Sequence, residues 1–220
     1  MSRQHDQPLT VYEHLSELRR RILYSVAALV VTTVASFVFT NRLFHILIAP
    51  AGDVTLIRTE MTEMFVVYLK VSLISGLCLA FPVILYQAIR FVAPGLQPRE
   101  KRYVVLMAPG VMLAFVAGVV FPYYVLLPVG VRYLLGFGSE IATPQIRIGN
   151  YVSFVTMILV AMGVVFETPV LMFMLTKLKI VSVKRLARWR KYAVLAAFVL
   201  AAIITPTVDP VNQALVAGPL

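Results

Sequence analysis

The feature that most constrains this chain is a series of apolar stretches, each long enough to cross a lipid bilayer and each ended by turn residues or clustered charge. Ile22 to Phe39 reaches roughly 27 Å at 1.5 Å per residue, close to the hydrocarbon thickness. Phe65 to about Phe91, Tyr103 to about Leu127 and Tyr151 to Leu175 are longer still. The 220 residues are 60% hydrophobic and only 14% charged, so a soluble domain with a polar shell cannot be built from them. A fifth stretch, Tyr192 to Ile204, covers only about 20 Å, which implies local thinning of the bilayer or a recessed position. Residues 211–220 begin a further apolar run that is too short to span. The expected fold is an all-α polytopic membrane helix bundle, one integral membrane domain over residues 1–220. Its spans are expected at about 22–39, 65–91, 103–127, 151–175 and 192–204, with an incomplete one at 211–220.

The net charge of +10 does not call for nucleic acid, because the cations sit beside apolar segments rather than along one polar face. Arg3, Arg19, Arg20 and Arg21 precede the first span. Arg90, Arg99, Lys101 and Arg102 surround the central turn at Pro94-Gly95, and Lys177, Lys179, Lys184, Arg185, Arg188, Arg190 and Lys191 crowd the link after the fourth span. The opposite links hold only Arg42, Arg58, Arg132 and Arg147. This asymmetry places the N-terminus in the cytoplasm. About twenty polar residues precede the first apolar stretch, which argues against a cleavable signal peptide.

Local patterns refine the reading. Thr10-Val11-Tyr12-Glu13 has capping-box spacing, so a helix is expected to start there, with Leu15, Leu18 and Ile22 along the membrane surface before the chain dives in. Thr40 to Met64 reads as a non-hydrophobic outer link. Lys70, near the outer end of the second span, can snorkel to the interface and is assigned no function, while Pro82 is expected to kink that span. Trp189 and Tyr192 are interfacial anchors.

Glu167 is the one carboxylate deep in an apolar span. With about 100° per residue, Ser153, Thr156, Val160, Gly163 and Glu167 share a narrow helical stripe that should face other helices, a wet cavity or a partner segment rather than lipid. A hydrogen-bonded structural glutamate is the bland alternative. Catalysis and metal binding find no support: Cys78 is a lone cysteine, His5, His14 and His45 are scattered, and no HExxH, GxSxG or phosphate-cradling glycine loop occurs. Neither a metal nor a cofactor is expected.

His14-Leu15-Ser16-Glu17-Leu18-Arg19-Arg20-Arg21 resembles the HLxELRxR signature of the TatC subunit of the twin-arginine protein translocase. Pro82 to Glu100 resembles that family's P-x-x-x-Y-Q-x-W-x-F-x-x-P-G-L-x-x-x-E loop. Thr62-Glu63 and Phe65, Phe166-Glu167-Thr168-Pro169, and Thr205-Pro206-Thr207 with Asp209-Pro210 and Gln213 resemble further family motifs, in order along the chain. Ile89 stands where the family usually has Trp, and Met61 and Val208 where Pro is common. The chain also stops before that family's sixth helix is complete.

The resemblance implies six transmembrane helices in a cup-like arrangement in the cytoplasmic (inner) membrane, within an oligomeric complex. It implies a receptor for twin-arginine signal peptides of folded precursors, assembling with the single-span TatA and TatB subunits. Glu17 and Glu100 are the expected signal-peptide carboxylates, with Arg19, Phe91 and Leu96 beside them; Glu63 and Asp209 are outer-loop family matches. The chemistry agrees, because a guanidinium wants planar bidentate acceptors. Local pairing, of Glu17 with Arg21 and of Glu100 with its flanking cations, is the competing account. Glu167, Ser153, Thr156 and Gly163 are expected to meet a partner helix inside the bilayer. The rival function is a proton-coupled secondary transporter using Glu167, but no repeat between the two halves is apparent.

Overall fold

The computed structural model describes residues 11–52, 55–137, 145–205 and 210–219. Thr10, Pro206, Thr207, Val208 and Asp209, on which parts of the sequence reading fall, lie outside them. Helix α1 (Val11–Val38) is followed by a short α2 (Thr40–Ile48) and a two-residue strand β1 (Leu56–Ile57). Helices α3 (Glu63–Val92) and α4 (Pro98–Phe121) are joined by a 3₁₀ turn at Ala93–Gly95, and α4 continues through a π-helical turn at Pro122–Leu126 into α5 (Leu127–Gly136). Strand β2 (Ile146–Arg147) leads into α6 (Ile148–Lys177), and α7 (Val183–Ile204) and α8 (Pro210–Ala217) complete the described chain. Four segments, Tyr12–Val38, Glu63–Gly95, Pro98–Gly136 and Ile148–Lys177, are long and apolar enough to cross a membrane. This is an all-α polytopic membrane bundle.

Four local expectations are corrected. Helix α1 runs unbroken from Val11, so the charged first turns are part of the spanning helix rather than a separate surface segment. The outer link after it contains α2, whose Leu43, Phe44 and Ile48 pack against the core. The third apolar segment stays helical past Leu127 to Gly136, because Pro122 and Pro128, which lack N–H groups, are absorbed by the π-helical turn instead of ending the helix. The basic residues from Lys184 to Lys191 lie inside α7 rather than in a loop. Pro82 lies within α3 without interrupting it.

Small and hydroxylated residues let the helices approach, as expected where lipid is no worse a solvent for Leu than a neighbouring helix is. Thr32 Oγ1 of α1 donates to the Gly76 carbonyl of α3 at 2.8 Å, and Thr40 Oγ1, at the start of α2, lies 2.7 Å from Ser72 Oγ, so α1 and α2 meet α3 through polar contacts. A side-chain carbon at Gly76 would stand 2.5 Å from Thr33 Oγ1. Between α4 and α6 the approach is made by Gly118 and Gly163, while Phe81 stacks on Phe115 at 3.7 Å between centroids and joins α3 to α4. The core lies towards the end of the bundle that carries α2, around Val67, Val71, Leu127, Val152, Val155 and Met162. Tyr151 and Tyr123 donate to the carbonyls of Leu47 and Ile46, which pins α2 over it.

Candidate functional site

Four carboxylates, each in a different setting, stand out against this frame. At the N-terminal end of α1, Glu17 Oε1 accepts from Arg21 Nη2 at 3.0 Å, and Arg21 Nη1 donates to Gln87 Oε1 of α3, also at 3.0 Å. The Arg21 Nε is buried with no partner among the described residues. One turn along α3 from Gln87, Phe91 stacks on His14 with centroids 4.5 Å apart. The seam between α1 and α3 therefore brings together two motifs some seventy residues apart. Glu17, Phe91 and Leu96 are half-buried and Arg19 is exposed.

Glu100 is not paired with its flanking cations. Its Oε2 accepts from the Gln97 N–H at 2.9 Å and so caps the N-terminus of α4, where the orphan amides favour an anion. The local pairing expected for Glu17 is present, and that expected for Glu100 is replaced by a cap.

At the opposite end of the bundle Glu63 is 6% exposed and fully engaged. Its Oε2 accepts from Thr59 N at 2.8 Å, Thr59 Oγ1 at 3.2 Å and Glu60 N at 3.3 Å; its Oε1 accepts from Gly149 N at 3.0 Å and Arg147 Nε at 3.4 Å. Arg147 Nη2 also donates to Glu60 at 2.9 Å, and that bond foremost raises the guanidinium above its ordinary value. Next to this cluster β1 and β2 pair in parallel, Leu56 with Ile146 and Ile57 with Arg147. Glu63 thus clasps the first link to the second, a role the sequence showed only as a loop motif.

Glu167, in α6, is 7% exposed, and neither carboxylate oxygen has a hydrogen-bond partner among the described residues. Of the surroundings expected for the stripe above it, the structure shows other helices of the same chain. Gly163 faces Phe115 and Val119 of α4, so its missing side chain serves packing within the chain. Thr156 is buried and returns its hydroxyl to the Val152 carbonyl, while Ser153 Oγ accepts from Lys70 Nζ of α3 at 2.8 Å. Lys70, expected only to snorkel, thus bridges two helices. Gln87, Lys70 and Arg147 are the contributors that sequence reasoning passes over. The signal available for each is only a polar group beside or within an apolar run. Among the described residues no cluster of His, Cys, Asp or Glu could hold a metal ion.

Four helical segments long and apolar enough to cross a bilayer, packed into one bundle, define a multi-pass membrane protein. Residues 13–219 match the family model of the Sec-independent protein translocase protein (TatC), and the chain belongs to that family. It is 42% identical over 217 residues to the protein of that name from Carboxydothermus hydrogenoformans, covering 98% of this chain and 89% of the relative. The counterpart from Aquifex aeolicus is 39% identical, with 97% and 90% covered. Among solved structures, a crystal structure of the twin arginine translocase receptor TatC superposes with a TM-score of 0.84 at 39% identity, covering 94% of this chain and 92% of the other. A second, in the detergent DDM, gives 0.86 at 38% identity, with 94% of each chain covered.

Proposed function

We propose that the chain is the receptor and core subunit of a twin-arginine translocase, capturing Arg-Arg signal peptides of folded precursors at its cytoplasmic face. The observation that carries this reading is the α1–α3 seam, where Phe91 stacks on His14 one turn of α1 before the half-buried Glu17 carboxylate. Arg21, which meets Glu17 through a single 3.0 Å contact, would give way to an incoming arginine, and Phe91 and Leu96 offer an apolar neighbour for the hydrophobic part of the peptide. Glu100 supplies the second carboxylate and Arg19 lines the approach. Glu167 meets a polar group on a single-span partner, TatA or TatB, inside the bilayer. The unpaired state of its oxygens supports that reading, because an orphaned buried polar group is costly unless something completes it.

Peptide affinity measured for the wild type, Glu17→Gln and Glu100→Gln at two salt concentrations tests the proposal. Each glutamate removed is expected to cost on the order of 1.5 to 3 kcal/mol per charged hydrogen bond. A twin-lysine peptide should bind more weakly than a twin-arginine one, because Lys lacks the planar fork. Equal affinities across all three proteins, without Arg-over-Lys preference, remove both residues from the site. Orientation is tested separately: single cysteines at Ser16, Gln97 and Ser182, in a Cys78→Ser background, should label only from the cytoplasm, and one at Thr55 only from outside. Labelling of position 97 from outside in intact cells overturns it.

A further inference from the structure

A shallow groove of about 500 Å³ runs down one face of α4, lined by Pro98, Lys101, Arg102, Val105, Leu106 and Pro109. These positions recur at three- and four-residue intervals and form one helical stripe. Its upper end is cationic. Lys101 and Arg102 are exposed, and neither side chain makes a hydrogen bond or an ion pair among the described residues. Glu100, the adjacent carboxylate, accepts from the Gln97 amide and makes no ion pair with either of them among the described residues. Several other cations at helix ends already lie over aromatic rings: Arg20 over Tyr24, Arg90 over Tyr86, Lys177 over Phe173 and Lys191 over Tyr192.

The lower end of the stripe is apolar. Val105 is 56% exposed and Leu106 68%, and Pro109 has no N–H to return to the Val105 carbonyl. From Lys101 to Pro109 the helix advances about 12 Å, so the stripe passes from the membrane boundary into the hydrocarbon. The groove is thus continuous with acyl chains below and presents two free cations where headgroup phosphates lie.

We propose that this stripe is a binding site for one anionic phospholipid, with its phosphate on Lys101 and Arg102 and an acyl chain along Val105, Leu106 and Pro109. Charge selects this occupant. A cationic peptide segment is drawn to the carboxylates Glu17 and Glu100 rather than to this pair of cations, and a second copy of the chain would bring the same cations against each other. The guanidinium of Arg102 offers a bidentate fork to the phosphate and Lys101 a compact charge beside it. The site does not depend on the peptide-receptor reading, since Lys101 and Arg102 take no part in that pocket.

The test is native mass spectrometry of the whole chain released from detergent containing equal amounts of dioleoyl phosphatidylglycerol and dioleoyl phosphatidylcholine. The wild type is expected to retain one phosphatidylglycerol with a preference of about thirtyfold, about 2 kcal/mol at 1.4 kcal/mol per tenfold, from two cations near the surface. Lys101→Gln with Arg102→Gln should bring the preference within about twofold. Lys184→Gln with Arg185→Gln, which removes equal charge from α7, should leave it unchanged. Leu106→Trp, which keeps both cations but fills the groove, should lower phosphatidylglycerol occupancy. The proposal is overturned if the wild type shows no preference, if the α4 double variant retains it, or if the α7 double variant loses it equally.

Discussion

Glu63 and Glu167 are equally buried carboxylates in opposite circumstances. Glu63 accepts hydrogen bonds from two side chains and three backbone amides, drawn from the link before α3, the link before α6 and the first turn of α6. Glu167 accepts none among the described residues. The first is a finished contact: every atom that faces it is complementary, and its work is to fix where α3 and α6 begin. The second is an unfinished one, held in apolar surroundings by helices that pack well without it. Burial alone does not distinguish frame from site; whether acceptor capacity is filled does.

The largest effect expected from testing this contrast is at the finished contact. Glu63→Ala strips partners from the amides of Thr59, Glu60 and Gly149 and from Arg147 at once. It should lower the melting temperature in detergent more than the loss of Glu17, Glu100 or Glu167 does. Glu60→Ala, at an exposed side chain that meets only Arg147, should cost far less. Melting of Glu63→Ala at the wild-type temperature would mean the outer links hold together without it.

Next in size is the packing that closes the stripe above Glu167. A Cβ at Gly118 would lie 2.7 Å from the Met162 carbonyl and from Phe166 Cβ, and backbone cannot step aside cheaply. Gly118→Val should destabilise by about 1–3 kcal/mol, as overpacking does. Gly110→Ala, in the same helix with nothing within 4 Å, should be neutral or slightly stabilising. Equal behaviour of the two variants would show that α4 and α6 are not held at this separation.

These cases also mark what the sequence could and could not carry. The spanning helices were legible because an apolar run of that length has few other destinies, and Glu17, Glu63, Glu100 and Glu167 were conspicuous as rare carboxylates at or within such runs. Helix ends were less legible: hydropathy reports where the bilayer is, whereas backbone hydrogen bonding continues α7 back through its basic residues to Val183 and α4 onward through Pro122 into α5. Partners were least legible. Arg147 lies 84 residues from Glu63, and Gly163 meets Phe115 across two helices, so each pairing depends on a packing that no local pattern announces.

The smallest effect, and the most discriminating because of its sign, concerns Glu167 itself. In the isolated chain its carboxyl is buried without a partner, so Glu167→Met, similar in volume and able to fit an irregular apolar site, should remove a penalty and stabilise by about 1 kcal/mol. If Glu167 meets a partner helix as proposed, the same substitution removes the group that helix would contact, so site-specific crosslinking between α6 and the partner should fall while signal-peptide capture is spared. Glu167→Gln keeps a hydrogen-bonding group and should retain most of that crosslinking. A structural glutamate behaves in reverse: Met destabilises the isolated chain and crosslinking stays as it was. Melting of the purified variants in detergent, beside crosslinking yield in membranes, therefore separates an unfinished contact from a finished one at a single position.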